Sequence, residues 1–178
     1  MLYIYTMHSE CASKSCPAPH PLNDSWTMYA HLPHETDWSL SSYKKISSLD
    51  NIESVITLAE FLPDKLIRNC MLFVMKEDIQ PIWEDKRNLN GGCFSYKILN
   101  KHVKEAWTLL TYSLTANDLT NDSKLNTIIN GITISPKKSF CIIKIWTDTC
   151  QYQDPNIIKP IKGHIVPQGC LFRKHNVN

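Results

Sequence analysis

The chain of 178 residues suits one domain with a real core, since about 150 residues already bury roughly two-thirds of their unfolded surface. Nineteen Lys and Arg against 17 Asp and Glu leave a net charge of +2, which excludes a long duplex-coating footprint and confines any nucleic-acid site to a local patch. Seven cysteines, odd in number and without a CxxC, argue against a disulfide scaffold or zinc site and for reduced thiols in the cytoplasm or nucleus.

Residues 1–19 have a short apolar start but neither a basic flank nor a membrane-length apolar run, and read as a flexible leader before a single domain at 20–178. Alternation with period two predicts strands from Trp26 to Leu32 and from Tyr43 to Ser48. Asp50 is the expected cap of a helix ending before Pro63, with Glu53 completing a capping box. Val55, Leu58, Ala59 and Leu62 make its core face, leaving Ile52 and Ile56 toward an edge. Strands follow at Met71–Met75 and Phe94–Leu99, then a helix over 100–116 whose stripe of Val103, Ala106, Trp107, Leu110 and Leu114 puts Trp107 in the core. Residues 117–126 are a polar loop. Two more strands, Ile128–Ser135 and Phe140–Trp146, flank a turn carrying Lys137 and Lys138. Pro155 and Pro160 shorten any later helix, and Arg173 and Lys174 read as a frayed tail. A sheet with few helices is α+β.

Two places carry chemistry. Trp83-Glu84, in IQPIWEDKRNLNGG, sets an indole beside a carboxylate on an expected loop. An indole face stacks on a planar, preferably cationic ring, and a carboxylate only accepts hydrogen bonds, so together they suit an edge with adjacent N–H donors. Guanine presents that edge through N1–H and the N2 amine, and methylation at N7 adds the positive charge. In the strand 140–146, Cys141, Ile143 and Ile145 form one face and Phe140, Ile142, Lys144 and Trp146 the other. With the first face in the core, Lys144 and Trp146 point together at the opposite surface.

Taken in order, HPLNDSW, DWSLSSYKKISSLDNIESV, IQPIWEDKRNLNGG and GITISPKKSFCIIKIWTDTC resemble the cap-binding translation initiation factor 4E family over roughly His20 to Cys150. The resemblance implies a curved antiparallel sheet with about three helices on its convex face and a cap slot on the concave face. It places the base between Trp38 and Trp83, gives Glu84 the guanine edge, and sets Trp146 near the N7-methyl group. It implies capped mRNA as ligand, no enzymatic activity, no cofactor or metal, no membrane, and a monomer outside its complex. A scaffold factor 4G-like protein or a repressor would lay a helix over His20, Pro21, Leu22, Ile52, Ile56 and Leu109.

The chain also departs from the family pattern. The basic phosphate-contact positions align with Lys137, Ser139 and Ile142, so one charge of three remains, with Lys138 and Lys144 as candidate replacements. An arginine after the glycine pair becomes Cys93, and a first-strand tryptophan becomes Tyr29. On the partner side an exposed tryptophan becomes Ile56 and a carboxylate becomes Leu109. Two other classes compete with a cap-binding initiation factor or repressor. A cap-processing enzyme lacks support, since no phosphate-cradling glycine motif, HExxH or carboxylate cluster is present. A pure interaction protein with a vestigial pocket is disfavoured by Trp38, Trp83, Glu84 and Trp146 and favoured by the missing basic positions.

Overall fold

The computed structural model describes residues 18–175, so all but the last two residues of the expected leader, together with Cys11 and Cys16, lie outside the described residues. In chain order the elements are β1 (Pro21–His31), β2 (Lys44–Asn51), α1 (Ile52–Phe61), α2 (Asp64–Asn69), β3 (Met71–Lys76), β4 (Gly92–Leu99), α3 (Val103–Thr115), β5 (Ile129–Pro136), β6 (Phe140–Thr147) and β7 (Leu171–Lys174). The strands form one curved sheet in the order β2-β1-β3-β5-β6-β4-β7, antiparallel at every pairing. The expected α+β architecture is the one observed. Among the described residues no helix is long and apolar enough to cross a membrane.

Side-chain alternation divides the sheet into two unequal faces. One carries Trp26, Met28, Ala30, Leu72, Val74, Phe94, Tyr96, Ile98, Ile132, Ile134, Cys141, Ile143 and Ile145, and packs with Val55 of α1, Ile67 of α2 and the Val103, Ala106, Trp107, Leu110 and Leu114 stripe of α3. Each fully buried large aliphatic here contributes about 1.5–3 kcal/mol, so this layer holds the fold. The other face has a smaller buried cluster of Phe73, Met75, Ile79, Cys93 and Trp146, with Tyr29, Tyr43 and Met71 against it. Trp146 therefore lies opposite the helices, as the alternation in its strand required.

Three local expectations are corrected. The cap of α1 is Asn51, whose side chain accepts from the Ser54 N–H at 2.8 Å, while Asp50 stays in β2. Glu53 turns away from any capping box. Its carboxylate accepts from the His20 backbone N–H at 3.1 Å and bonds the His20 ring at 2.7 Å, which pulls its pKa below the usual carboxylate range. The six-residue α2 was not foreseen, because it is too short to show a helical stripe. Arg173 and Lys174 belong not to a frayed tail but to β7, which pairs Gly92 with Lys174 and Cys93 with Arg173 and packs Phe172 edge-on against Phe94.

Candidate functional site

On the face opposite the helices a cavity of about 460 Å³ is lined by Trp38, Trp83, Glu84, Lys137, Lys144 and Trp146, over a floor that includes Tyr43 and Phe73. Six of the seven residues singled out for a base slot are thus brought together from four chain segments. Lys138 is not among them.

Trp83 and Glu84 stand on the loop between β3 and β4, and polar side chains inside the loop fix its shape. Asp85 accepts from the Gln80 and Arg87 N–H groups at 3.0 and 2.8 Å, while its own carbonyl accepts from Asn88 and Leu89, both at 2.8 Å. Asn88 is fully buried. Its amide donates to the carbonyls of Gln80 at 3.0 Å and Ile82 at 2.8 Å, and its oxygen accepts from Asn130 of β5 at 2.9 Å. Asn130 also donates to the Arg87 carbonyl at 2.8 Å, tying the loop to the sheet. At the loop's end Gly91 lies so close to β6 that a Cβ would meet the Thr147 carbonyl oxygen at 1.8 Å, so no side chain fits there.

Each slot tryptophan is steadied by a histidine. Trp38 follows β1 and is half exposed, with its ring stacked on His31 at a centroid distance of 4.1 Å and 4°. His31 donates from Nε2 to the Asp37 carbonyl at 2.8 Å, which fixes the imidazole against the indole. Trp83, also half exposed, lies parallel to His175 at 6.1 Å. His175 follows β7, is buried, donates from Nδ1 to the Asn88 carbonyl at 2.8 Å, and meets Trp146 at 4.6 Å. Rings run continuously beneath the slot, from Trp38 through His31, Tyr43, Phe73, Trp146 and His175 to Trp83. Sequence reasoning found the indoles but missed His31, Tyr43, Phe73, Asn88, Asn130 and His175. Of these His31, Tyr43, Phe73 and Asn130 carried a signal, their place in predicted strands, whereas Asn88 and His175 carried none.

The model for eukaryotic initiation factor 4E matches residues 21–173. This chain belongs to the eukaryotic initiation factor 4E family. Initiation factor 4E-2 of Schizosaccharomyces pombe is 28% identical over 144 residues, which are 76% of this chain and 56% of that protein. Factor 4E of Eremothecium gossypii is 27% identical over 142 residues, 76% of this chain and 65% of its own length. The chain thus spans less than two-thirds of the length of these curated relatives. Among solved structures, a schistosome factor 4E complexed with m7GpppA and 4E-BP superposes with a TM-score of 0.67 at 26% identity, covering 75% of this chain and 74% of that one.

Within the 4E family frame, the basic side of the slot is thinner than the family pattern implies. Lys137 lines the cavity from the β5–β6 turn, where its N–H donates to the Phe140 carbonyl at 2.8 Å. Lys144 lines it from β6, opposite Thr133 of β5, with its ammonium 5.6 Å from the Trp83 ring centroid. Such a contact is worth about 0.5–1 kcal/mol at an exposed site, so the lysine and the ring support each other in the free protein. Lys138 instead lines a neighbouring concavity. Ser139 is exposed in the turn, Ile142 half-buried on β6, and neither reaches the slot. Cys93 is buried beside Trp146, and burial pushes its thiol above the usual range, so it supplies neither charge nor a nucleophile. Tyr29 packs on the same cluster.

The opposite layer carries a second depression. A groove of about 540 Å³ runs between β1, α1 and α3, lined by Leu22, Ile52 and Ile56 with Glu60 and Tyr112 at its polar edge. Half of the expected partner-side residues are therefore in it. His20 is tied to Glu53, Pro21 is exposed in β1, and Leu109 packs partly against the core, so these three do not line the groove. At the far end of α3, His102, Glu105 and His164 bring ligand-type atoms within 4.8 Å. Lys162 already neutralises Glu105 at 2.5 Å and His164 bonds it at 3.1 Å, so the cluster reads as an ion-pair clasp between α3 and the 161–165 turn.

The histidine behind Trp83 links folding stability to pH. Burial lowers the His175 pKa, and the Lys144 charge acts in the same direction, against its hydrogen bond to the Asn88 carbonyl. The unfolded chain then binds a proton near the ordinary histidine pKa of about 6.5, before the folded protein does, so stability rises with pH through this window. We expect the melting temperature to fall as pH drops below about 6.5, and His175→Phe to flatten that dependence. Thermal melts from neutral to mildly acidic pH check it, and identical slopes for both proteins would remove the assignment.

Proposed function

We propose that this chain is an mRNA cap-binding protein of translation initiation, acting in the cytoplasm, and that it binds the 7-methylguanosine base between Trp38 and Trp83. The observation that carries this is one cavity lined by both half-exposed indoles, by Trp146 and by the Glu84 carboxylate. Stacking of a base on an aromatic ring is worth about 1–3 kcal/mol per contact, and a cationic base adds about 0.5–2 kcal/mol on an indole face. Glu84 reads N1–H and N2–H, Trp146 packs near the methyl group, and Lys137 and Lys144 meet the triphosphate as point charges. Nothing in this arrangement asks for bond making, and the chain is read as a binding module. The schistosome relative, solved with m7GpppA, supports the reading. Fluorescence titration with 7-methylguanosine triphosphate and with GTP tests it. We expect quenching by both, with roughly ten-fold or greater preference for the methylated ligand, and equal, negligible quenching would refute it.

The groove at Leu22, Ile52 and Ile56 supports a partner as well. Its shape and apolar lining suit an amphipathic helix of a scaffold factor 4G-like protein or a repressor. The schistosome structure also contains 4E-BP. Ile56 offers apolar area without an indole's hot-spot size, so complementarity here differs from the family pattern.

A further inference from the structure

Beyond the slot, the surface continues as a trough that extends past the residues assigned to the base and the triphosphate. Lys137 lines three concavities in succession: the slot, a smaller one of about 260 Å³ between Trp38, His34 and Ser135, and a larger one of about 780 Å³ that ends on α2. Trp38, Met71 and Ser135 are shared by the first two, and Pro33, His34, Asn69 and Pro136 by the last two, so the depressions are continuous. The far concavity is lined by Lys65, Arg68, Lys137 and Lys138 and by no acidic side chain, while the linking one carries one carboxylate, Glu35, which accepts from the Thr36 and Asp37 N–H groups at 3.0 and 3.1 Å. Among the described residues Lys65, Lys137 and Lys138 form no ion pair, and only Arg68 is shared, with Asp64 at 3.3 Å.

We propose that this trough carries the backbone of the first nucleotides after the cap, leading single-stranded RNA from the slot past Lys137 to Lys138, Lys65 and Arg68. The proposal rests on the cap-binding reading. A run of exposed, unpaired ammonium groups continuous with a nucleotide slot is complementary to a chain of phosphates leaving that slot. It also accounts for Lys138, whose charge the slot does not use. Specificity is not expected along the trough, since lysine contacts to phosphate position a strand without reading it.

The test compares a cap dinucleotide with a capped RNA octamer of mixed sequence, on the wild-type chain and on the double variant Lys65→Ala, Arg68→Ala. Both substitutions lie on the exposed side of α2, away from the slot, and alanine is helix-compatible. For a single strand each phosphate contact contributes a salt slope of about −0.7, so three further contacts make octamer affinity fall about ten-fold more than dinucleotide affinity between about 50 and 150 mM salt. In the variant the octamer should lose most of its low-salt advantage while dinucleotide binding stays unchanged. Equal affinity and salt slope for the two ligands on the wild type would overturn the trough and leave the slot intact, pointing to an acidic protein segment as its occupant. Failure of both ligands to bind would overturn the cap reading and the trough together.

Discussion

Glu84→Ala is expected to weaken binding of 7-methylguanosine triphosphate by about 2–3 kcal/mol, roughly 30- to 150-fold, while leaving stability within about 0.5 kcal/mol. The separation follows from where the carboxylate stands. Among the described residues it accepts no hydrogen bond and forms no ion pair, and it is exposed at the rim of the slot. The folded protein therefore asks nothing of it. A guanine bound between the two indoles as proposed would have N1–H and N2–H desolvated, and without the acceptor both donors would be buried unpaired. Glu84→Gln separates charge from shape, because the amide keeps one acceptor but turns a donor toward the base. It should lose nearly as much. Fluorescence titration beside a thermal melt gives both quantities, and unchanged affinity in Glu84→Ala would end the assignment of the guanine edge.

Asn88→Ala should instead cost about 2–4 kcal/mol of stability, through a buried residue that does not line the slot. The fully buried amide satisfies the Gln80 and Ile82 carbonyls and one N–H of Asn130, and alanine strands all three in the interior. Those carbonyls lie just before Trp83 and Glu84 in the same loop, so slot affinity should fall with stability. Asn90→Ala, at an exposed position two residues on, should stay within about 0.5 kcal/mol. Denaturant midpoints for the two variants check the contrast, and equal midpoints would show that the network does not hold the loop.

Asn88 also shows where sequence reading stopped. The stripe of α3, the core face of α1 and the alternation of β6 were legible because burial repeats with the period of the element, and that alone put Trp146 and Lys144 on the slot face. Trp83 and Glu84 came from the chemistry of the pair and Trp38 from motif order, and one cavity unites them. What hid were contacts between distant segments. Asn88 drew no role because nothing near it in the chain announces Asn130, 42 positions away. His175 read as tail because its meaning lies in Trp83 and in the pairing of β7 with β4. Lys138 failed for a different reason: adjacent residues in a turn point in different directions, so sharing a turn with Lys137 did not put it in the same cavity. Asn51 displaced Asp50 as helix cap because β2 runs to Asn51, three residues past the Ser48 where its alternation ended.

The ring series beneath the slot has a thermodynamic consequence. Each wall indole already rests on an imidazole before any ligand arrives, so little rotamer freedom remains to be lost when a base enters. Calorimetry on a loop-borne slot that ordered on binding would show a large unfavourable entropy and the heat-capacity change of coupled folding. Here the walls stand on rings rooted in β1, β3, β6 and the end of β7, so a base bound as proposed would meet a receptacle whose ordering cost was met when the sheet formed.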